Sequence, residues 1–178
     1  MSKIAVIDYG AGNLRSVQKA FESLGFDAVI ASDKETIMNA GRAVLPGVGA
    51  FGDCVAGLEK AGLITCVKDF INTGKPFFGI CVGMQMLFEK SYEFGEHAGL
   101  GIFKGDVNKF PDSLLEKGMK IPHMGWNSLS IKQADHPVLQ GIEDGSMVYF
   151  VHSYFVKAEE KEVPAAECEY GVSFTAAS

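Results

Sequence analysis

Short apolar runs alternate with helical stripes along the first half of the chain, and the links between them are only a few residues long. Lys3 to Ile7 reads as a buried strand closed by the turn Tyr9-Gly10-Ala11-Gly12. Leu14, Val17, Phe21 and Leu24 then recur at helical spacing, with Asn13 as N-cap and Gly25 as the stop. Ala28 to Ala31 is a second strand, and Ser32-Asp33-Lys34-Glu35 resembles a capping box opening a helix through Ala40. A third strand, Ala43 to Leu45, precedes a helical stripe of Leu63, Ile64, Val67, Phe70 and Ile71. Phe77 to Ile80 is the fourth strand, and the spacing predicts a helix from about Gly83 to Lys90. Strands joined through helices can pair in parallel, because a parallel neighbour needs a crossover that a tight turn cannot supply.

From Gly101 the pattern changes. Lys104 to Val107, Asn127 to Ile131, Met147 to Val151 and Gly171 to Thr175 read as strands with little helix between them, which suits antiparallel hairpins. The predicted fold is α/β, a mostly parallel central sheet flanked by helices with added antiparallel strands. No linker or repeat divides the chain, so residues 1–178 read as a single domain.

Composition removes several classes of function. The net charge is −6 and no basic cluster is present, which argues against a nucleic-acid surface. Met1 to Asp8 lacks the apolar length of a signal peptide, and no run approaches a membrane span, so a soluble cytoplasmic protein is expected. The four cysteines, Cys54, Cys66, Cys81 and Cys168, form no C-x-x-C pair and are expected to be free thiols in a reducing compartment.

Two glycine-rich stretches carry the chemistry. Gly47, Gly49 and Gly52 in Leu45-Pro46-Gly47-Val48-Gly49-Ala50-Phe51-Gly52 spell G-x-G-x-x-G after a strand, the pattern of a dinucleotide-binding loop. Pro46, however, sits where strand should turn into phosphate loop. Strand four runs into Gly79-Ile80-Cys81-Val82-Gly83, with small residues two before and two after a cysteine. That is the requirement of a nucleophile elbow, a turn so tight that flanking Cβ atoms would clash and the central side chain is pushed clear of the sheet. At a helix N-terminus the thiolate of Cys81 would be favoured; the alternative is a buried structural cysteine. A thiolate attacking a carbonyl creates an oxyanion that needs waiting N–H donors. Val82, the residue after the nucleophile, supplies one by elbow geometry, and the loop Gly47-Val48-Gly49 is placed to supply another.

With these motifs, Asp8-Tyr9-Gly10-Ala11-Gly12-Asn13, Pro122-His123-Met124-Gly125-Trp126-Asn127 and Tyr149-Phe150-Val151-His152-Ser153-Tyr154, nearly the whole chain resembles the class I, triad-type glutamine amidotransferases. Within them it is similar to the family of glutaminase subunits of imidazole glycerol phosphate synthase, from histidine biosynthesis. The resemblance implies a flavodoxin-like fold and a Cys81 that attacks the side-chain amide of glutamine, releasing ammonia and leaving a γ-glutamyl thioester. It implies Val48 and Val82 as oxyanion-hole amides, and Gly49, Gln85, Glu93, His152, Ser153 and Tyr154 as positions that hold glutamine. Asn13, Ser16, Met124 and Trp126 fall where the family meets its partner, a TIM-barrel cyclase that consumes the ammonia. No metal and no cofactor are implied. Each residue also has a plainer reading: Gln85 as an exposed helix face, Glu93 as solvated surface, Trp126 as core, and His152 as a hydrogen-bonded core histidine.

One part of the family pattern is missing. Its triad is Cys, His and Glu, the last two in a Phe-His-Pro-Glu motif, whereas His136-Pro137 is followed here by Val138. His97, His123 and His152 have no glutamate two residues on. The motif is expected beyond Gly171 to Thr175, and the chain is expected to be truncated there. A cysteine without its base is only a few per cent thiolate at neutral pH, so these 178 residues alone are expected to turn over little glutamine. A catalytically dead interaction subunit, or another Cys hydrolase such as a γ-glutamyl hydrolase, are the competing readings.

Overall fold

The computed structural model describes residues 3–178, in two compact units. Met1 and Ser2, part of the stretch read against a signal peptide, lie outside the described residues. The first unit comprises the chain up to Leu87 together with His97–Ile102. Its elements are β1 (Ile4–Ile7), α1 (Leu14–Ser23), β2 (Ala28–Ala31), α2 (Lys34–Asn39), β3 (Arg42–Gly47), α3 (Phe51–Lys60), α4 (Ile64–Asn72), β4 (Phe77–Cys81) and α5 (Val82–Gln85). The four strands pair in parallel in the order β2-β1-β3-β4. Ile4, Ala5, Val6 and Ile7 are all buried, as expected of a strand covered on both faces. Val17 and Phe21 of α1 pack on Ile4, Ala28 and Val44.

The expected elements of this half form, with local corrections. Asn13 occupies the N-cap of α1 but its side chain makes no capping bond. In α2 the cap is Asp33, whose carboxylate accepts the Thr36 N–H at 2.8 Å, so the helix opens one residue later than a Ser32 cap would have it. Helix α3 was not anticipated. Helix α5 ends at Gln85 rather than at Lys90 for an identifiable reason. The Met86 and Leu87 carbonyls accept from Leu100 and Ile102 N–H, at 2.7 and 2.8 Å, and so are engaged with a distant segment where a helix would continue.

The second unit comprises Phe88–Glu96 and Phe103–Ser178. It contains β5 (Lys90–Ser91), β7 (Gly105–Lys109), α6 (Ser113–Glu116), β8 (His123–Ser128), β9 (Ser130–Ile131), β10 (Met147–His152), β11 (Tyr154–Ala158), β12 (Ala166–Glu169) and β13 (Ser173–Ala177); the short β6 (His97–Ala98) belongs to the first unit. Strands run in the order β5-β7-β11-β13-β12-β9, with every pairing antiparallel except β5 with β7. Phe110, Leu114, Phe155, Cys168 and Phe174 form its core. Strands β8 and β10 make a separate antiparallel ribbon, His123 opposite His152 and Trp126 opposite Tyr149. Antiparallel strands thus replace helices where the sequence pattern changes. Three strands of this unit, β5, β11 and β12, have no counterpart in the apolar pattern, and β8 starts four residues before the Asn127 onset expected from it.

Candidate active site

Strand β4 delivers Cys81 to the start of α5 with φ 56° and ψ −118°, a conformation rare for any residue other than glycine. Of the four thiols Cys81 is exposed, while Cys54, Cys66 and Cys168 are buried. Its neighbours explain the flanking glycines. A Cβ on Gly79 would lie 2.7 Å from the backbone N and Cα of Met84, and one on Gly83 would overlap the Leu45 carbonyl oxygen. Neither contact has room for a methyl group, so the elbow closes only with glycine at both positions. The buried structural alternative for Cys81 is not what forms.

Strand register brings the second glycine-rich stretch alongside, because β3 pairs β4 with Gly47 opposite Cys81 and Leu45 opposite Gly79. A Cβ on Gly47 would meet the Gly83 nitrogen at 2.6 Å. Val48 and Gly49 follow at the exposed end of β3, Gly49 with φ 90°, and Val82 is buried at the start of α5. Behind the loop, the buried Tyr9 hydroxyl donates to the Pro46 carbonyl at 2.7 Å, and the Cys54 thiol donates to the Val48 carbonyl at 3.3 Å. Burial, followed by the neighbouring Cys54, raises the Tyr9 pKa. Burial likewise raises that of Cys54, keeping it a thiol able to donate. Gln85, one turn on from Cys81, is half-buried.

The remaining predicted substrate residues belong to the second unit. Glu93 follows β5, where its N–H donates to the Ser91 hydroxyl at 3.2 Å and Ser91 itself is fully buried. The next residue, Phe94, has φ 56° and is largely exposed, its ring 6.5 Å from that of Tyr154. Ser153 accepts the Phe110 N–H through its carbonyl at 3.0 Å. Glu93 and Tyr154 are thereby linked through Phe94.

His152 takes a different part. Its Nδ1–H donates to the Tyr154 carbonyl at 2.9 Å, which leaves Nε2 as an acceptor; His123 Nδ1–H fills it at 3.0 Å. Asn127 Nδ2 faces His123 Nε2 at 3.4 Å and donates to the Glu169 carbonyl at 2.9 Å. One backbone carbonyl therefore fixes both tautomers. Burial, then the neighbouring His152, lowers the His123 pKa to about 4, and burial lowers that of His152. Both imidazoles are neutral at pH 7; His123 stacks on Phe150 and Tyr170, and His152 meets Phe110 and Phe174 edge to face. The hydrogen-bonded core reading describes the His152 side chain. No sequence signal pairs it with His123, since the ribbon alone brings them together.

Trp126 is not core. It is 67% exposed, with Met124, Met147, Tyr149 and Val151 also exposed on the same face of the ribbon. The Trp126 and Tyr149 rings meet edge to face at 5.7 Å. Asn13 and Ser16 are exposed at the start of α1, in the first unit.

A strained, exposed cysteine between strand and helix, with a glycine-rich loop in register beside it, has the geometry that a nucleophile elbow requires. Residues 5–177 match the model of the family described as glutamine amidotransferase class-I, and the chain belongs to that family. Within it, the chain is 52% identical over 179 residues to the imidazole glycerol phosphate synthase subunit HisH of Geobacter sulfurreducens, covering 99% of this chain and 85% of that subunit. It is 50% identical over 173 residues to the HisH subunit of Aquifex aeolicus, covering 97% and 81%. Among solved structures, PurLQS from Thermotoga maritima superposes with a TM-score of 0.69 at 20% identity, over 96% of this chain and 76% of that one. At that identity the likeness concerns the fold.

Proposed function

We propose that the chain is the glutaminase subunit of an imidazole glycerol phosphate synthase, acting in histidine biosynthesis. The observation that carries the reading is the exposed Cys81 at a strained turn, with Gly47-Val48-Gly49 in register beside it. Cys81 attacks the γ-carboxamide carbon of glutamine, and the resulting oxyanion is received by the N–H groups of Val48 and Val82. Collapse of the tetrahedral species expels ammonia and leaves a γ-glutamyl thioester, which water hydrolyses to glutamate through a second oxyanion in the same hole. Gly49 and Gln85, on the same unit as Cys81, hold the amino acid.

Two of the four histidines, His123 and His152, are committed to each other, and none of the four carries the glutamate of a Cys-His-Glu triad. The ammonia passes to a TIM-barrel cyclase in a heterodimer, where the exposed ribbon of Met124, Trp126 and Tyr149 meets the partner. Large aromatics exposed in a cluster are what an interface core needs. The site of action is the cytoplasm, whose reducing conditions keep the four cysteines as thiols; among the described residues no helix is long and apolar enough to cross a membrane.

The test is Cys81→Ala in the complete subunit paired with its cyclase. Glutamine hydrolysis is abolished, while cyclisation fed directly with ammonia proceeds at the wild-type rate. Loss of both activities would make Cys81 a structural residue and overturn the assignment.

A further inference from the structure

We infer that Asn127, His123 and His152 form an acid-sensitive latch on the docking ribbon: neutral imidazoles hold the ribbon to the strands beside it, and a proton on either one releases it and weakens capture of the cyclase. The inference rests on the reading of this ribbon as the partner surface. Strands β8 and β10 pair only with each other among the described residues. Side chains near their ends tie them to the rest of the unit. His152, the last residue of β10, donates from Nδ1 to the Tyr154 carbonyl of β11 at 2.9 Å, and Asn127 of β8 donates to the Glu169 carbonyl of β12 at 2.9 Å. The buried His123 joins the two, its Nδ1 3.0 Å from His152 Nε2 and its Nε2 3.4 Å from Asn127 Nδ2.

Backbone groups at both ends leave this series no proton to spare. The Tyr154 carbonyl requires the His152 proton on Nδ1, so the neutral ring accepts at Nε2; His123 must then carry its own proton on Nδ1 and accept at Nε2. Asn127 cannot turn its amide to suit a different arrangement, because its Oδ1 accepts the Ser128 N–H at 2.8 Å while its Nδ2 serves Glu169. A proton added to His152 sets N–H against N–H, and one added to His123 sets N–H against the Asn127 amide N–H. Neither cation finds compensation. The rings around the pair are Phe110 after β7, Phe150 of β10, Phe174 of β13 and Tyr170 between β12 and β13, whose hydroxyl is engaged with the Lys120 backbone. Tyr170 and the nearby core residue Cys168 both stay neutral in acid. The charge that acts on His123 is that of His152, which opposes a second proton, and no carboxylate favours either cation. On the opposite face of the same two strands, Trp126 and Tyr149 meet across the register that the latch holds.

The complete subunit and its cyclase test this through the dissociation constant of the pair as a function of pH. A histidine kept neutral while latched weakens the latch by up to about ten-fold for each pH unit below about 6.5. The dissociation constant is therefore expected to be level above about pH 6.5 and to rise about ten-fold by about pH 5, as the seated population falls. In the free subunit over the same range, amide protection factors in 123–128 and 147–152 fall while the far-ultraviolet circular dichroism of the fold is retained, since a segment held by few contacts opens before the whole. Replacing both histidines by Gln makes the dissociation constant level across the range. Asn127→Asp, which offers a charged His123 an acceptor, shrinks the rise and tests the latch independently of the double variant. A level dissociation constant in the wild type, an equal rise in the variants, or loss of dichroism in step with the rise would each overturn the proposal. Failure of the wild-type subunit to bind the cyclase at neutral pH would instead refute the partner reading itself.

Discussion

Removing the Cys81 side chain in two different ways separates strain from chemistry. The residue sits at φ 56° and ψ −118°. A non-glycine residue held in so sparsely populated a region costs of order 1–3 kcal/mol. Alanine at this position keeps the Cβ and therefore keeps the strain, whereas glycine releases it. Glycine's greater freedom in the unfolded chain offsets about 0.5–1 kcal/mol of that release. The balance leaves Cys81→Gly more stable than Cys81→Ala by about 1 kcal/mol, the reverse of the order at an ordinary position. For a chain of this size, 1 kcal/mol moves the melting temperature by about 2–4 °C. Urea unfolding and thermal melts of the two variants, both without glutaminase activity, measure the difference. If the alanine variant equalled or exceeded the glycine variant, the turn would store no strain and the elbow argument would fail.

Two further outcomes follow from contacts elsewhere. Because the folded state lowers the pKa of His123 to about 4 and also that of His152, the unfolded chain takes up protons first as pH falls. The stability held by the neutral pair is complete above the ordinary histidine pKa of about 6.5 and is lost progressively as pH falls from there through about 4. Urea midpoints recorded against pH show that slope, and it flattens between pH 6.5 and 5 when both residues are replaced by Gln; an equally steep slope in the double variant would refute the account. At Gly52, an added Cβ would meet the His97 ring at 2.7–3.0 Å. Gly52→Ala is therefore expected to destabilise by about 1 kcal/mol in the wild type, and to stabilise by a few tenths up to about 1 kcal/mol in a His97→Ala background, where helix propensity is all that changes. Additivity of the two substitutions in a double-mutant cycle would refute the contact.

The contrast between Gly79, Gly83 and Gly52 shows what could be read from the chain alone. Gly79 and Gly83 are dictated by a turn of a few residues, so the motif states its own geometry. Gly52 completes a G-x-G-x-x-G pattern but serves a ring 45 positions away, information the local string does not contain. The alternation of strand and helix in the first half was legible because each crossover is local. Helix α3 was missed, and the overlong helix after Cys81 arises where Leu100 and Ile102 compete for the carbonyls of Met86 and Leu87. In the second half, β11 and β12 depend on partners far along the chain, and their own apolar pattern is weak: only Phe155 and Val156, and Ala166 and Cys168, are buried in them. Among candidate site residues, Cys81 and the Gly47-Val48-Gly49 loop were found from chemistry. Tyr9 and Cys54 were not, because a buried phenol and thiol look like ordinary core until their acceptors are known.

The ribbon of β8 and β10 divides its labour by parity. His123, Gly125 and Asn127, with Val148, Phe150 and His152, face inward, while Met124, Trp126, Met147, Tyr149 and Val151 face out. A slip of one residue would send the imidazole pair into solvent and the methionines into the core, so the inward set locks the register. The outward set is then released from any duty to the fold. Its members can be exchanged during descent, one at a time, as the surface they meet drifts, and the scaffold beneath them does not register the change.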